Sequence, residues 1–355
     1  MVTSTAIELK PRGIIELFDQ AIRLYRNNFL KFVGIIAVAQ VPLQLIQLII
    51  NVFFYSSIIN SSTTDYTALT AMSTGTSLIT VVVGVLSFIF VTGLATAALT
   101  RAIVDSYLGE EVSIQGSYEK IKGSWGSLLG AMLLVALLSI PLMIWFMVPC
   151  IGWFTGLGML FFAGIVVSPL IAPIIVIERR DATNAIRRAW EMARRRFWWL
   201  VGFFMLLMLF NLLVVQGPVQ IVAMWLQSSL LQGASAANLA STTALQSIST
   251  SVLTLFLSLL YLPLAATCAT LAYFDLRIRQ EGFDLALMAS QDSEAPVNAL
   301  ELAAHAPAIP DGPLVTKEEL SYFVLISLMA VAIYFIVFAL LMGAFMAAMG
   351  PTYLP

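Results

Sequence analysis

The sequence predicts an all-α fold, a polytopic membrane helical bundle with seven transmembrane helices. Three observations predict it. Hydrophobic residues fill 60% of the 355 positions, charged residues only 11%, and the mean hydropathy is +0.93, which excludes an ordinary soluble domain. Apolar stretches recur at the length that crosses a hydrocarbon core of about 30 Å, roughly 20 helical residues each. All 18 Lys and Arg residues fall on one side of the alternating connections. Lipid leaves helix as the reading, because an open sheet cannot satisfy its backbone there.

The expected spans are 30–56, 77–100, 127–148, 154–177, 198–227, 247–274 and 321–349. Connections 57–76, 149–153 and 228–246 hold no Lys or Arg, and Asp65 is their only charge. Connections 101–126, 178–196 and 275–320, with the N-terminal segment, hold all the cations but Lys31, which stands at the start of the first span. Cytoplasmic loops retain positive charge, so the N-terminus is expected in the cytoplasm and the C-terminus outside. Glu8, Lys10, Arg12, Glu16, Asp19 and Arg23 interrupt any apolar signal segment, and the first span is expected to act as an uncleaved insertion signal. Cys150 and Cys268 fall at different membrane levels, so no disulfide between them is expected.

A repeat underlies this layout. Three cytoplasmic segments end in an amphipathic stripe that runs into a span: Phe18, Ile22, Tyr25, Phe29; Ile114, Tyr118, Ile121, Trp125; Ile186, Trp190, Ala193, Phe197. The common spacing is helical. Arg26, Lys122 and Arg194 precede the last stripe positions at one distance, and Gly34, Gly130 and Gly202 follow them at another. The expected organisation is a six-span membrane domain over 1–285, with like-oriented repeats at about 13–104, 109–177 and 181–276. A disordered cytoplasmic linker is expected over 286–316, followed by a C-terminal transmembrane helix within 317–355.

Two polar groups stand out. Arg187, Arg188, Arg194, Arg195 and Arg196 crowd the polar side of the third amphipathic helix, opposite Ile186, Trp190, Ala193 and Phe197. They serve either to enforce topology and anchor the next span or to bind anionic lipid headgroups or a partner. Gln40, Gln44, Gln47 and Asn51 form one face of the first span, with Gln216 and Gln220 as a possible counterpart in the fifth. That face serves either interhelical hydrogen bonding or a polar solute path. Prolines 42, 141, 169, 173, 218 and 263 suggest kinked or broken spans, and Gly343 with Ala339 and Ala347 makes a small-residue face on the last.

No catalytic constellation is visible. His305 is the single histidine, there is no metal-binding, phosphate-loop or nucleophile-elbow motif, and Glu110–Glu111 reads as a pair of exposed carboxylates. No cofactor or metal and no nucleic-acid partner is expected.

Four passages carry a resemblance. IELFDQAIRLYRNNFLKFVGI, TRAIVDSYLGEEVSIQGSYEKI, ERRDATNAIRRAWEMARRRFWWLVG and AYFDLRIRQEGFDL, in this order, resemble the membrane domain of bacterial glycerophosphoryl diester phosphodiesterase proteins and its stand-alone relatives. The likeness covers residues 10–290. It implies the inner membrane of a prokaryote and a membrane part without an assigned activity. The diesterase activity is not carried over, because residues 286–355 hold an acidic linker and one more span in place of a soluble catalytic domain. The expected function is a non-enzymatic accessory, scaffold or lipid-interacting subunit of a membrane assembly. Its expected partners are anionic lipids and a membrane protein docked on the C-terminal span. The alternative is a transporter for a neutral or amphipathic solute.

Overall fold

A computed structural model describes residues 12–60, 66–107, 110–149, 151–231, 236–291, 299–305, 307 and 315–349. All regular structure among them is helical: α1 (Ile14–Asn27), α2 (Phe29–Asn60), α3 (Tyr66–Ser87), α4 (Thr96–Tyr107), α5 (Ile114–Lys120), α6 (Trp125–Phe146), α7 (Ile151–Phe161), α8 (Ser168–Glu178), α9 (Ala182–Arg195), α10 (Phe197–Asn211), α11 (Gly217–Leu231), α12 (Ala236–Glu281), α13 (Phe283–Gln291), α14 (Ala299–Ala304) and α15 (Lys317–Met349). Short π-helical segments join α3 to α4, α7 to α8 and α10 to α11.

The chain is a polytopic membrane protein with an all-α bundle. Among the described residues six helical segments are long and apolar enough to cross a membrane: Phe29–Phe54, Ser77–Ser106, Lys122–Phe146, Ile151–Glu178, Phe197–Ser228 and Leu245–Glu281. They match the first six expected spans within a few residues, except that the sixth runs on past the expected 274. The seventh expected span falls on α15, part of whose C-terminal half lies outside the described side chains. Large apolar side chains such as Ile49, Leu78, Leu213 and Phe256 are exposed. Exposed apolar surface on this scale is the surface that lipid covers.

The prolines do not break these helices. Pro42, Pro141, Pro173 and Pro263 sit inside α2, α6, α8 and α12. Pro169 and Pro218 are the second residues of α8 and α11, just past π-helical segments, where a residue with no N–H to donate is tolerated.

The described chain divides into two compact units. The larger comprises residues 1–134 and 169–309 and holds the three amphipathic segments. In each of them a short surface helix stops, and the span begins on the expected fourth stripe residue: Phe29, Trp125 and Phe197. The surface helices pack on spans distant in sequence. Tyr118 donates to the Ile35 carbonyl at 2.8 Å, while Phe18 meets Phe203 with ring centroids 5.1 Å apart. Gly34 permits one such approach, since a Cβ there would lie 2.5 Å from Ile114 Cδ1. The buried faces are turned relative to the expected stripes. On α1 Leu17 and Ala21 are buried while Ile22 is exposed, and on α9 the buried set is Ala185, Arg188, Ala189, Met192 and Ala193.

Residues 286–316, expected to be disordered, are helical in part. They include the end of α13 and the whole of α14, where Ala303 is buried and its carbonyl accepts from Arg277. A buried guanidinium needs acceptors, and the turn at Ala303 supplies one. Residues 292–298 and 308–314 lie outside the described residues.

The smaller unit comprises residues 135–168 and 310–355. Thr316 and Glu319 form a reciprocal capping box that starts α15. Within this unit α15 packs on α7: the Gly158 N–H donates to Ser327 Oγ at 2.8 Å, and the Phe162 and Phe323 rings lie 5.7 Å apart. A Cβ at Gly158 would sit 2.0 Å from the Phe323 carbonyl oxygen, so only glycine allows this approach.

Candidate functional site

The ionisable side chains of the larger unit converge where the surface helices meet the ends of the spans. Three buried carboxylates organise this region: Asp105 at the end of α4, Glu178 at the end of α8 and Asp275 in the last turns of α12. Each is held by a segment that leads into or forms a surface helix. Lys120 of α5 lies 2.9 Å from Asp105, and Arg188 of α9 lies 3.3 Å from Glu178. The Arg12 N–H, just ahead of α1, donates to Asp275 at 2.9 Å. Arginines one turn away add a second contact to two of them, Arg101 to Asp105 at 3.0 Å and Arg279 to Asp275 at 2.8 Å. The Arg279 guanidinium also donates to the Arg12 carbonyl at 2.7 Å, so α12 is tied to the chain that begins α1.

Glu178 is the centre of the densest cluster. It accepts from Arg180 Nε at 2.8 Å and from the Tyr273 hydroxyl at 3.0 Å, besides its pairing with Arg188. Arg188 also pairs with Glu281, which Arg277 meets at 2.9 Å. Arg277 lies over the Phe283 ring, 4.8 Å from its centroid. The cluster joins α8, α9 and α12 in a region closed to solvent, where each charge has an opposite partner.

This corrects the reading of the α9 arginines as one polar face. Arg188 is 2% exposed and turned inward, because Glu178 and Glu281 offer it carboxylates there. Arg187 and Arg195 are exposed, and Arg194 and Arg196 are half-buried. Arg194 and Arg195 both reach Glu191 on their own helix, at 3.3 and 3.1 Å. Asp181 opens α9 by accepting from Asn184 and Thr183, and these bonds hold its carboxyl below the usual range.

The Glu110–Glu111 pair is exposed, as expected, yet Glu110 has a partner that its own neighbourhood in the sequence did not suggest: Lys120, at 2.9 Å. The hydrogen bond from Lys120 lowers the Glu110 carboxyl below its ordinary 4.5, and the bonds to Glu110 and Asp105 raise the Lys120 ammonium above 10.5. Nearby, burial pushes the Tyr118 hydroxyl up to about 12, so it acts as a neutral donor.

The amides of the first span make contacts to neighbouring helices. Gln40 is buried and donates to Ser258 of α12, while its Oε1 has no partner among the described residues. Gln47 donates to Asn51 at 3.3 Å and to Thr80 of α3 at 3.2 Å, and Gln44 is half-buried. Gln216 and Gln220 are exposed, and among the described residues no hydrogen bond joins them to this face. Cys268 is free and buried, and Cys150 lies outside the described residues. Among the described residues no group of three His, Cys, Asp or Glu side chains could hold a metal ion.

No protein-family model, curated protein or solved structure matches the chain.

Proposed function

We propose that the protein is a non-enzymatic, lipid-interacting scaffold of a bacterial inner membrane, with its charged end in the cytoplasm. The observation that carries this reading is the placement of the exposed cations beside an interfacial aromatic. Arg187 and Arg195 are exposed on α9, the helix that leads directly into Trp198, the exposed second residue of α10. Trp225, near the other end of the same span, is also exposed. The two indoles are separated by about 40 Å of helix, close to the thickness of a bilayer with its headgroups. Tryptophans prefer the two interfaces, so the α9 cations lie at headgroup level, where each adds about 1 kcal/mol of attraction to anionic lipid.

The ion pairs of Asp105, Glu178 and Asp275 support a scaffold further, because they spend the ionisable groups on fixing surface helices to spans. The likeness to the phosphodiesterase membrane domain fits a membrane body of this kind, without the diesterase chemistry. The test is purification in a mild neutral detergent followed by counting of retained lipid. The reading expects anionic lipid to be retained over zwitterionic lipid, and equal or absent retention would overturn it.

A transporter is the second reading, favoured by the unpartnered Gln40 Oε1 inside the first span. If the amide face is a solute path, replacing Gln44 and Gln47 together with Leu abolishes uptake into reconstituted vesicles. On the scaffold reading no uptake depends on them.

A further inference from the structure

We infer that a cavity at the charged end, between α4, the α5–α6 elbow and the α8–α9 elbow, binds a phosphate-type anion, presented by a lipid headgroup or free in solution. The inference rests on the lipid-interacting reading for its biological source of phosphate, but not for its geometry.

The cavity measures about 400 Å³, within the range that holds a small ligand. Arg101, Lys120, Arg179 and Arg180 line it together with Ser124 and Ser127, and no carboxylate is among its lining residues. The acids stand behind the cations. Asp105 holds Arg101 and Lys120, and Glu178 holds Arg180. Three cationic heads are thereby fixed around one space before any ligand arrives, which reduces the ordering cost of binding.

Donors remain for a ligand. Lys120 has three N–H groups and uses two, on Asp105 and Glu110. Arg101 meets Asp105 through Nε, and no hydrogen bond joins its terminal nitrogens to another described residue. Planar guanidinium forks and serine hydroxyls match tetrahedral oxyanions well.

Arg179 is the most telling of the four. It is exposed, with no hydrogen bond or ion pair to another described residue. Its φ of 52° makes it the only non-glycine residue with positive φ among those described. The residue after a helix often adopts this conformation, but glycine or asparagine ordinarily supplies it. Topology alone would be served by a cation anywhere on this side of the membrane. A strained backbone that brings an unpaired guanidinium to the rim of a cationic cavity fits ligand capture.

The experiment compares the full-length protein with Arg179→Gly, Lys120→Gln and the surface control Arg23→Gln, an exposed arginine of α1 outside the cavity, all in detergent micelles. Each is titrated with phosphatidylglycerol and with phosphatidylcholine by native mass spectrometry, and with inorganic phosphate by calorimetry. Glycine accepts the positive φ, so Arg179→Gly keeps the fold while removing the charge. The expected result is a loss of about tenfold in anion affinity for each cavity variant, the worth of one charged hydrogen bond, with the control unchanged. Loss confined to phosphatidylglycerol identifies a headgroup site, and loss of inorganic phosphate binding identifies a free anion. Equal affinities for cavity variants and wild type, or an equal loss in the control, would overturn the site while leaving lipid association in place. No preference for either anion in the wild type would overturn both readings.

Discussion

Arg179, just ahead of α9, and Arg188, in the middle of that helix, carry the same guanidinium, yet their surroundings are opposite. Arg188 is enclosed between Glu178 and Glu281, in a cluster completed by Arg180, Arg277 and Tyr273. Arg179 stands exposed at the edge of a cavity whose acids lie behind its other cations. A closed cluster returns the desolvation cost of its charges only when each finds its partner, so it acts as a lock among α8, α9 and α12. An open cluster leaves donors unspent and can take a ligand. The difference lies in how the available acceptors are distributed, not in the residue type.

The largest effect is expected from breaking the lock. Arg188→Ala leaves Glu178 and Glu281 without the cation that bridges them, and the cost should be about 3–5 kcal/mol, read as a large fall in thermal stability in detergent. Arg187→Ala, on the exposed face of the same helix, should stay within about 0.5 kcal/mol. Equal effects would erase the distinction between the two arginines.

A smaller effect of opposite sign is expected at the rim. Arg179→Gly relieves left-handed strain and should stabilise the fold by up to about 1 kcal/mol, less than the strain itself because glycine gains freedom in the unfolded chain. A stability gain paired with weaker anion binding would show strain maintained for function. A stability loss would mean that Arg179 has a structural partner.

The smallest effect belongs to the exposed Lys120–Glu110 contact. Glu110 titrates below its ordinary 4.5, so its contribution is present above that pH and fades as pH falls through the lowered value. Lys120 titrates above its ordinary 10.5, so its contribution is complete below that pH and fades as pH rises through the raised value. Melting curves should therefore show a plateau between these limits, and Glu110→Gln, which leaves the Lys120–Asp105 pair in place, should soften the decline at both ends. An unchanged profile in the variant would show that the pair contributes nothing measurable, a common outcome for exposed ion pairs.

Sequence reading fared differently across these regions. The first six spans were legible because a run of apolar residues long enough to cross lipid has few alternative fates, and the starts of α2, α6 and α10 were marked by Phe29, Trp125 and Phe197. The inward turn of Arg188 was not legible. Periodicity assigns every arginine to the polar face, and the acids that draw this one inward include Glu281, 93 residues away. The same limit hid the order in α13 and α14, where the buried Arg277 finds the Ala303 carbonyl. Arg179 gave no signal either, since a left-handed arginine breaks the rule that makes glycine recognisable in that position. The amide face of the first span was legible as a pattern, but its partners Ser258 and Thr80 follow only from tertiary packing.

The most direct test of the account is one-sided labelling with a membrane-impermeant thiol reagent. Single cysteines would replace Arg187 at the charged end and Trp225 near the far end of the same span, with Cys150 and Cys268 changed to Ala. The account predicts that position 187 reacts only in inverted vesicles and position 225 only in right-side-out cells. Labelling of both from one side would contradict it.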